Sequence, residues 1–222
     1  MVFAAFSGIY LRDRVLTVYR PRIAGTAVVV STPNVKECMV SSKPAYTVPS
    51  MSADQGAKVA GILQQRLDSL NDLALTLKHV HWNVVGPNFI AVHEMIDPQV
   101  LDVRGMVDQI AERIATLGVS PEGTPGGLVK RRSWDDYAIG RADAITHLGA
   151  LDVVYQTVVT EHRQAAKDTE ELDPVTNDML IGHLHSLELF HWFIRAHLES
   201  PRGTLSTDGA RTEKSAASRA SR

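Results

Sequence analysis

Five side chains of metal-binding types lie between residues 81 and 112 of the sequence. They are His81, His93, Asp97, Asp108 and Glu112. Imidazole and carboxylate groups together suit iron, manganese or zinc, with the ligand softness of a non-haem iron site. A single histidine or acid on a helix is usually structural or solvated, so the spacing of all five decides whether they form a metal site.

The spacing places four of the five on one face of a predicted helix. At 3.6 residues per turn, Asp97, Asp108 and Glu112 lie within about 100° of His93 around the helix axis. The apolar residues of the same helix occupy a separate arc and form its core stripe; they are Ile96, Val100, Val103, Val107, Ile110 and Ile114. The candidate ligands therefore flank the core stripe.

The two ends of this face are too far apart for one metal site within one chain. His93 and Asp108 are separated by about 22 Å along the axis at 1.5 Å per residue. A two-fold-related copy of the helix would place His93 and Asp97 opposite Asp108 and Glu112 of the partner subunit. His81 continues the inward stripe of the preceding helix and would complete the ligand set. The sequence thus predicts a metal site at a dimer interface.

Hydrophobic periodicity predicts an all-α protein with four long helices. Their approximate ranges are 54–84, 89–117, 141–170 and 174–199, and Asp173 and Pro174 supply an N-cap and a first-turn proline for the last. The glycine-rich connection 118–140 is long enough to cross the bundle, and we expect a short helix around Trp134 to Tyr137. This pattern indicates a four-helix bundle.

Composition predicts an ordinary globular protein with unusual ends. The chain has 222 residues, of which 44% are hydrophobic and 22% charged, so it is neither disordered nor collagen-like. No apolar run reaches the roughly 18 residues that span a bilayer. The single cysteine, Cys38, excludes an intramolecular disulfide and fits a cytoplasmic location.

The formal net charge of −2 conceals a strong asymmetry along the chain. Residues 1–50 carry six basic and two acidic residues, 51–199 carry 12 and 21, and 200–222 carry five and two, for net charges of +4, −9 and +3. We interpret 1–50 as an irregular N-terminal extension, with one strand at VVVST, or as an over-long gene start. Residues 51–199 form the predicted domain, and residues 200–222 form a basic, flexible C-terminal tail. This tail either binds DNA through residues 202–222 or only aids solubility.

At these motifs the chain resembles the Dps family, the DNA-binding proteins from starved cells, also called mini-ferritins. The likeness covers about residues 54–199. It rests on HWNVVGPNFIAVHEMID at 81–97, DQIAER at 108–113, WDDY at 134–137 and HWFIRAHLE at 191–199. The resemblance implies a ferritin-like bundle that assembles into a hollow, dodecameric shell.

The resemblance also implies a function and a set of roles. Ferroxidase centres would take His81, His93 and Asp97 from one subunit and Asp108 and Glu112 from the partner subunit. Iron is the implied metal: iron(II) would be oxidised there by hydrogen peroxide or oxygen, and iron(III) would be mineralised inside the shell. This activity would protect DNA in a nucleoid-associated, cytoplasmic protein, and Trp82 would pack against the site.

Three other hypotheses remain open at this point. One is a nucleoid-structuring, DNA-binding protein with a vestigial metal site, and another is a monomeric metal-binding bundle. The third is an iron centre within one subunit, for which the chain offers one Glu-x-x-His pair, Glu188 and His191. We interpret this pair as structural, and the remaining histidines as structural or exposed; they are His79, His147, His162, His183, His185 and His197.

Overall fold

A computed structural model describes residues 11–12, 15–16 and 44–222 of the chain. The chain divides into two compact units, Met1–Val40 and Ser41–Arg222. In the first unit, strand β1 (Leu11–Arg12) pairs antiparallel with strand β2 (Val15–Leu16). The strand predicted at VVVST and the single cysteine both lie outside the described residues.

Four long helices dominate the second unit and confirm the predicted all-α, ferritin-like bundle. Its elements in chain order are α1 (Ala53–Asn83), β3 (Val84–Val85), α2 (Phe89–Thr116), α3 (Pro125–Arg131), β4 (Ala142–Asp143), α4 (Ala144–Thr169), α5 (Pro174–Leu198) and α6 (Glu213–Ala220). The long helices α1, α2, α4 and α5 begin and end within a few residues of the predicted ranges. No helix among the described residues is both long and apolar enough to cross a membrane.

Local capping chemistry fixes where these helices start and stop. Ser52 and Gln55 form a reciprocal capping box at the start of α1. The carboxylate of Asp143 accepts a hydrogen bond of 2.8 Å from the backbone N–H of Thr146 at the start of α4. Gly118 follows α2 with a φ of +84°, a left-handed conformation that ends a helix and that glycine adopts without steric cost.

Apolar stripes on the four long helices meet in one core. The predicted stripe of α1 is buried along its whole length, at Leu63, Leu67, Leu70, Ala74 and Leu77. Helix α2 runs without interruption through Pro98, so its two ends share one continuous helix. The core stripe of α2 therefore faces the interior along the whole helix, and the candidate ligands lie on the face beside it.

The connection between α2 and α4 runs the length of the bundle, as predicted. Strands β3 and β4 pair in parallel, Val84 with Ala142 and Val85 with Asp143, which joins the end of α1 to the start of α4. Because α1 and α2 form a hairpin, α2 ends at the base of the bundle, which is the end where α1 begins. The chain must therefore run to the opposite end of the bundle before α4 can begin.

The short helix in this connection was predicted in the wrong place. It covers Pro125–Arg131, where Thr124 caps it with a 3.3 Å hydrogen bond from the N–H of Gly127. Pro125 lies in its first turn, a position that proline favours. The segment around Trp134 forms no helix, and the Trp134 side chain hydrogen-bonds to Asp72 on α1.

The prediction that ordered structure ends near residue 200 was also wrong. Helix α6 packs on α4 and buries Ala216 and Ala217. Its close approach requires a glycine at position 149 of α4. A Cβ there would lie 2.7 Å from the Cβ of Ala220 and 2.8 Å from the carbonyl oxygen of Ala216, which is closer than such atoms pack.

A buried carboxylate anchors the segment between α5 and α6. Asp152 on α4 accepts hydrogen bonds from Thr207 Oγ1 at 2.7 Å, His191 Nε2 at 2.7 Å and Arg195 Nε at 2.9 Å. Both Asp152 and Thr207 are buried. The C-terminal segment is therefore part of the folded unit and not a flexible tail.

The second unit also begins earlier than the predicted domain boundary at residue 51. Residues 44–50 lie against the base of the bundle, with Pro44 buried. A Cβ on Gly118 would lie 2.1 Å from the carbonyl oxygen of Tyr46, and one on Gly56 would lie 2.7 Å from Thr47 Oγ1. Two glycines thus allow this segment to approach the helices closely.

Candidate metal centre

His81 and His93 form a stacked pair where the end of α1 meets the start of α2. Their ring centroids are 3.6 Å apart with an interplanar angle of 21°. His81 belongs to the buried stripe of α1, as predicted, and is 7% exposed. His93 is half-buried one turn into α2. The tight turn between the two helices brings these rings together.

Reciprocal hydrogen bonds fix the tautomer of both rings. Nδ1 of His81 lies 3.0 Å from the carbonyl oxygen of His93, and Nδ1 of His93 lies 2.9 Å from the carbonyl oxygen of His81. A carbonyl oxygen only accepts, so each Nδ1 carries the proton. In each neutral ring Nε2 is then left with a free lone pair, which is the arrangement that metal-binding histidines use.

Asp97 lies one turn after His93 and joins this pair. Its Oδ1 is 3.3 Å from Nδ1 of His81 and 2.9 Å from Nζ of Lys78. The hydrogen bond from Lys78 lowers the pKa of the Asp97 carboxyl. His81, His93 and the ionised Asp97 therefore gather at one end of α2, as the sequence predicted.

Lys78 is the residue of this cluster that the sequence analysis missed. Its ammonium group holds the Asp97 carboxylate and also lies 5.6 Å from the centroid of the Trp82 ring, within the range of a cation–π contact. Lys78 precedes His81 by three residues, so helical spacing alone places both on one face of α1. That spacing was the signal available in the sequence.

Asp108 and Glu112 lie at the far end of the same helix, one turn apart. Both residues are exposed, and Asp108 is about 22 Å from His93 along the helix axis. The chain by itself does not bring them to the histidine pair. Among the described residues, no three His, Cys, Asp or Glu side chains converge closely enough to hold a metal ion, and this includes His81, His93 and Asp97.

The surface beside the candidate ligands is apolar and exposed. Leu101 on α2 is 69% exposed, Trp82 is 70% exposed and Leu75 on α1 is 65% exposed. A Cβ on Gly105 would have no atom within 4 Å. Within one chain Trp82 contacts the site through Lys78, and most of its side chain is exposed to solvent.

The alternative iron pair on α5 is used structurally, as we interpreted it. His191 Nε2 bonds to Asp152 at 2.7 Å, and Glu188 forms an ion pair of 2.5 Å with Arg163. The two side chains thus have separate partners on α4. This observation favours the stacked histidine pair over Glu188 and His191 as the metal centre.

Comparison with known proteins identifies the family. Residues 60–203 match the model of the ferritin-like domain. A DNA protection during starvation protein from Mycolicibacterium smegmatis is 56% identical over 177 residues, which is 80% of this chain and 97% of the relative. The chain belongs to the Dps family.

Solved Dps structures share the fold. DpsA14 from Streptomyces coelicolor is 62% identical with a TM-score of 0.73, covering 73% of this chain and 97% of that one. Dps from Mycobacterium smegmatis is 56% identical with a TM-score of 0.75, covering 76% of this chain and 97% of that one. These matches confirm the resemblance and the ferritin-like fold of this Dps chain.

Proposed function

We propose that this Dps chain is an iron-storage ferroxidase whose centres form between subunits. The histidine pair carries the proposal, since two imidazoles with free Nε2 lone pairs lie beside an ionised carboxylate at one end of α2. The complementary carboxylates of Asp108 and Glu112 are exposed at the other end of that helix. A two-fold axis across α2 would unite both halves, and the apolar surface beside them suits a subunit contact.

The donor set suits oxidation of iron(II). Carboxylates favour iron(III) over iron(II), and neutral imidazoles fix the geometry while leaving positions open to an oxidant. Two iron(II) ions lose one electron each, and one hydrogen peroxide molecule takes up both electrons with two protons and yields two water molecules. Transfer of both electrons to one peroxide avoids the hydroxyl radical, which is how the reaction would protect DNA.

Lys78 balances the charge of the unloaded site in this proposal. Its ammonium neutralises Asp97, a carboxylate that would otherwise face the partner's acids without a counterion. An arriving iron(II) ion would replace the ammonium as the positive charge on this carboxylate. The salt bridge is partly exposed, at 20% for the Lys78 side chain and 51% for the Asp97 side chain, so little free energy opposes its opening.

Charge supports a storage role in a hollow dodecamer. The body from residue 51 to 199 carries a net charge of −9. Repeated in a closed shell, such bodies would raise the local concentration of iron(II). The chain's family membership supports this assembly, and the relative from Mycolicibacterium smegmatis that is 56% identical is named a DNA protection during starvation protein.

Peroxide-driven oxidation of iron(II) tests the proposal. We expect the double variant His93→Ala plus Glu112→Ala to slow oxidation to near the rate without protein, because each half of the centre loses a ligand. The rate is followed by iron(III) absorbance under anaerobic addition of hydrogen peroxide. Equal rates in wild type and variant would contradict the proposed ferroxidase activity and favour a DNA-binding protein with a vestigial metal site. A sizing column that reports a monomer would contradict a centre shared between subunits.

We also infer that residues 202–222 bind DNA without sequence preference. Five basic residues face solvent in this segment: Arg202, Arg211, Lys214, Arg219 and Arg222. They are carried on an ordered segment, so less conformational entropy is lost on binding than with a flexible tail. Repetition in an oligomer would multiply weak contacts of each copy with phosphate.

The structure suggests charge substitutions in preference to a deletion. Removing residues 202–222 would also remove Thr207 from Asp152, whereas Arg211→Gln, Lys214→Gln and Arg222→Gln leave the packing of α6 intact. We expect this triple variant to lose gel retardation of linear DNA at low salt. Substitution of the exposed Lys167 by Gln on α4 is the matched control. Unchanged retardation in the triple variant would contradict DNA binding by this segment.

A further inference from the structure

A second pair of histidines lies in the core between α4 and α5, away from the candidate iron centre. His162 is 0% exposed and His183 is 5% exposed, and their ring centroids are 5.6 Å apart. Nε2 of His183 lies 2.9 Å from Oε1 of Gln109 on α2. The hairpin of α4 and α5 places the two rings opposite each other.

The ring nitrogens of this pair that lie inside the protein have no hydrogen-bond partner. Both nitrogens of His162 and Nδ1 of His183 are buried without one. Leaving a buried polar group unpaired costs about 1–3 kcal/mol, and such groups in native proteins call for an explanation. If Gln109 accepts the Nε2–H of His183, the free lone pair on Nδ1 faces the interior.

The surroundings of the pair favour neutral rings and a low local charge. Burial lowers the pKa of His162 to about 3, with His183 and Arg66 adding to the effect, and burial lowers the pKa of His183 to about 4. The neighbouring Arg66 is paired with Glu161 at 2.9 Å. Two uncharged nitrogen ligands are thus available beside the Arg66–Glu161 ion pair.

Coordination number and charge select the ion. Zinc and the other divalent metals of proteins take four or more ligands, and no three His, Cys, Asp or Glu side chains converge here or elsewhere in the described residues. Burying an uncompensated double charge is also very costly. Copper(I) is monovalent and accepts two nitrogen ligands, so it suits this pair.

The separation of the two rings agrees with this choice. Metal–imidazole bonds are about 2 Å long and extend along the axis from the ring centroid through the nitrogen, so two rings that share one ion have centroids about 6 Å apart. The observed centroid separation is 5.6 Å. Gln109 is exposed and contacts His183, which is buried together with His162.

We propose that His162 and His183 bind one copper(I) ion between their ring nitrogens. The site is enclosed by the bundle and would keep the ion away from water and peroxide. It uses none of the candidate iron ligands and does not depend on the proposed ferroxidase activity. From the sequence we interpreted both histidines as structural or exposed, because neither has a convincing acidic partner at ligand spacing.

Competition for copper(I) tests the site in the full chain. A Cys38→Ser background removes the one thiol, and bicinchoninate under anaerobic conditions competes for weakly held ions. We expect one copper(I) per chain to resist the chelator in this parent protein, and that ion to be lost in His162→Leu and in His183→Leu. His185→Leu, an exposed histidine on the same helix, is the matched control and should keep the ion.

Spectroscopy identifies the ligands independently of folding in the variants. X-ray absorption of the copper-loaded parent protein should show two nitrogen neighbours at about 2 Å, and copper(I) should raise its melting temperature. Equal retention of copper(I) in His162→Leu, or sulfur neighbours in the parent protein, would overturn the assignment. Failure of the parent protein to hold any ion against the chelator would overturn it as well, and would indicate an ordered water between the rings.

Discussion

Co-expression of His93→Ala chains with Glu112→Ala chains is expected to restore iron(II) oxidation to about a quarter of the wild-type rate, although either variant alone is nearly inactive. In a shared centre, the histidine half comes from one subunit and the acidic half from its partner. A centre is intact when a Glu112→Ala chain supplies His93 and a His93→Ala chain supplies Glu112. With random assembly, each condition holds for half of the centres.

A second mixture of variants serves as the matched control. It distinguishes complementation at a centre shared between subunits from a recovery of activity that any mixture of variants would show. His81 and His93 are brought together within one chain by reciprocal hydrogen bonds, so a mixture of His81→Ala and His93→Ala chains contains no intact centre. We expect this mixture to stay inactive. Rates are measured as peroxide-driven iron(III) formation on assemblies purified with two different affinity tags. No recovery in the first mixture would contradict a centre shared between subunits.

Asp152→Ala is expected to lower the free energy of unfolding by about 3–5 kcal/mol, the usual cost of breaking a buried ion pair. The substitution leaves Arg195, His191 and Thr207 without their shared acceptor. Because Thr207 fastens the C-terminal segment, we also expect trypsin to cleave at Lys214 much faster in the variant. Urea unfolding at a fixed protein concentration and timed proteolysis measure the two effects.

An exposed acid and a pH series provide the controls for Asp152. Asp178→Ala, on the surface of α5, should change the free energy of unfolding by less than about 0.5 kcal/mol. Burial raises the pKa of Asp152, but hydrogen bonds from His191, Thr207 and Arg195 outweigh it and lower the pKa to about 2.

The direction of this shift fixes how stability depends on pH. A carboxyl group with a depressed pKa contributes stability above its unfolded pKa of about 4, and this contribution of roughly 2 kcal/mol is lost as the pH falls towards 2. The difference in stability between wild type and Asp152→Ala should therefore narrow below pH 4. A difference that stays constant down to pH 2 would contradict the role of the ionised carboxylate.

The C-terminal segment shows where sequence reasoning reached its limit. Pro201, Gly203 and a run of small polar residues are typical of a flexible tail. Its order depends on Asp152, which is 55 residues away from Thr207 in sequence, and on Gly149, whose missing side chain admits α6. Neither partner carries a local signal, because both contacts exist only after α4 and α5 have packed.

The candidate metal centre also combines features that follow from local helix spacing with features that depend on contacts between helices. Helical periodicity placed His93, Asp97, Asp108 and Glu112 on one face, since each turn of a helix repeats every 3.6 residues. The stacking of His81 on His93 and the tautomers of both rings depend on how α1 meets α2. The Lys78 salt bridge to Asp97 depends on the same helix junction and was not predicted.

The sequence by itself determined the four helices, the buried stripes and the separation of the ligands into two distant halves, because these follow from the period and rise of a single helix. Only the tertiary structure decided which ring nitrogens are free, where the short helix α3 lies and that the C-terminal segment is ordered. It alone showed that His162 and His183 face each other with three ring nitrogens that have no hydrogen-bond partner. Such features depend on side chains from different helices, and their meeting is fixed by packing and not by spacing along the chain.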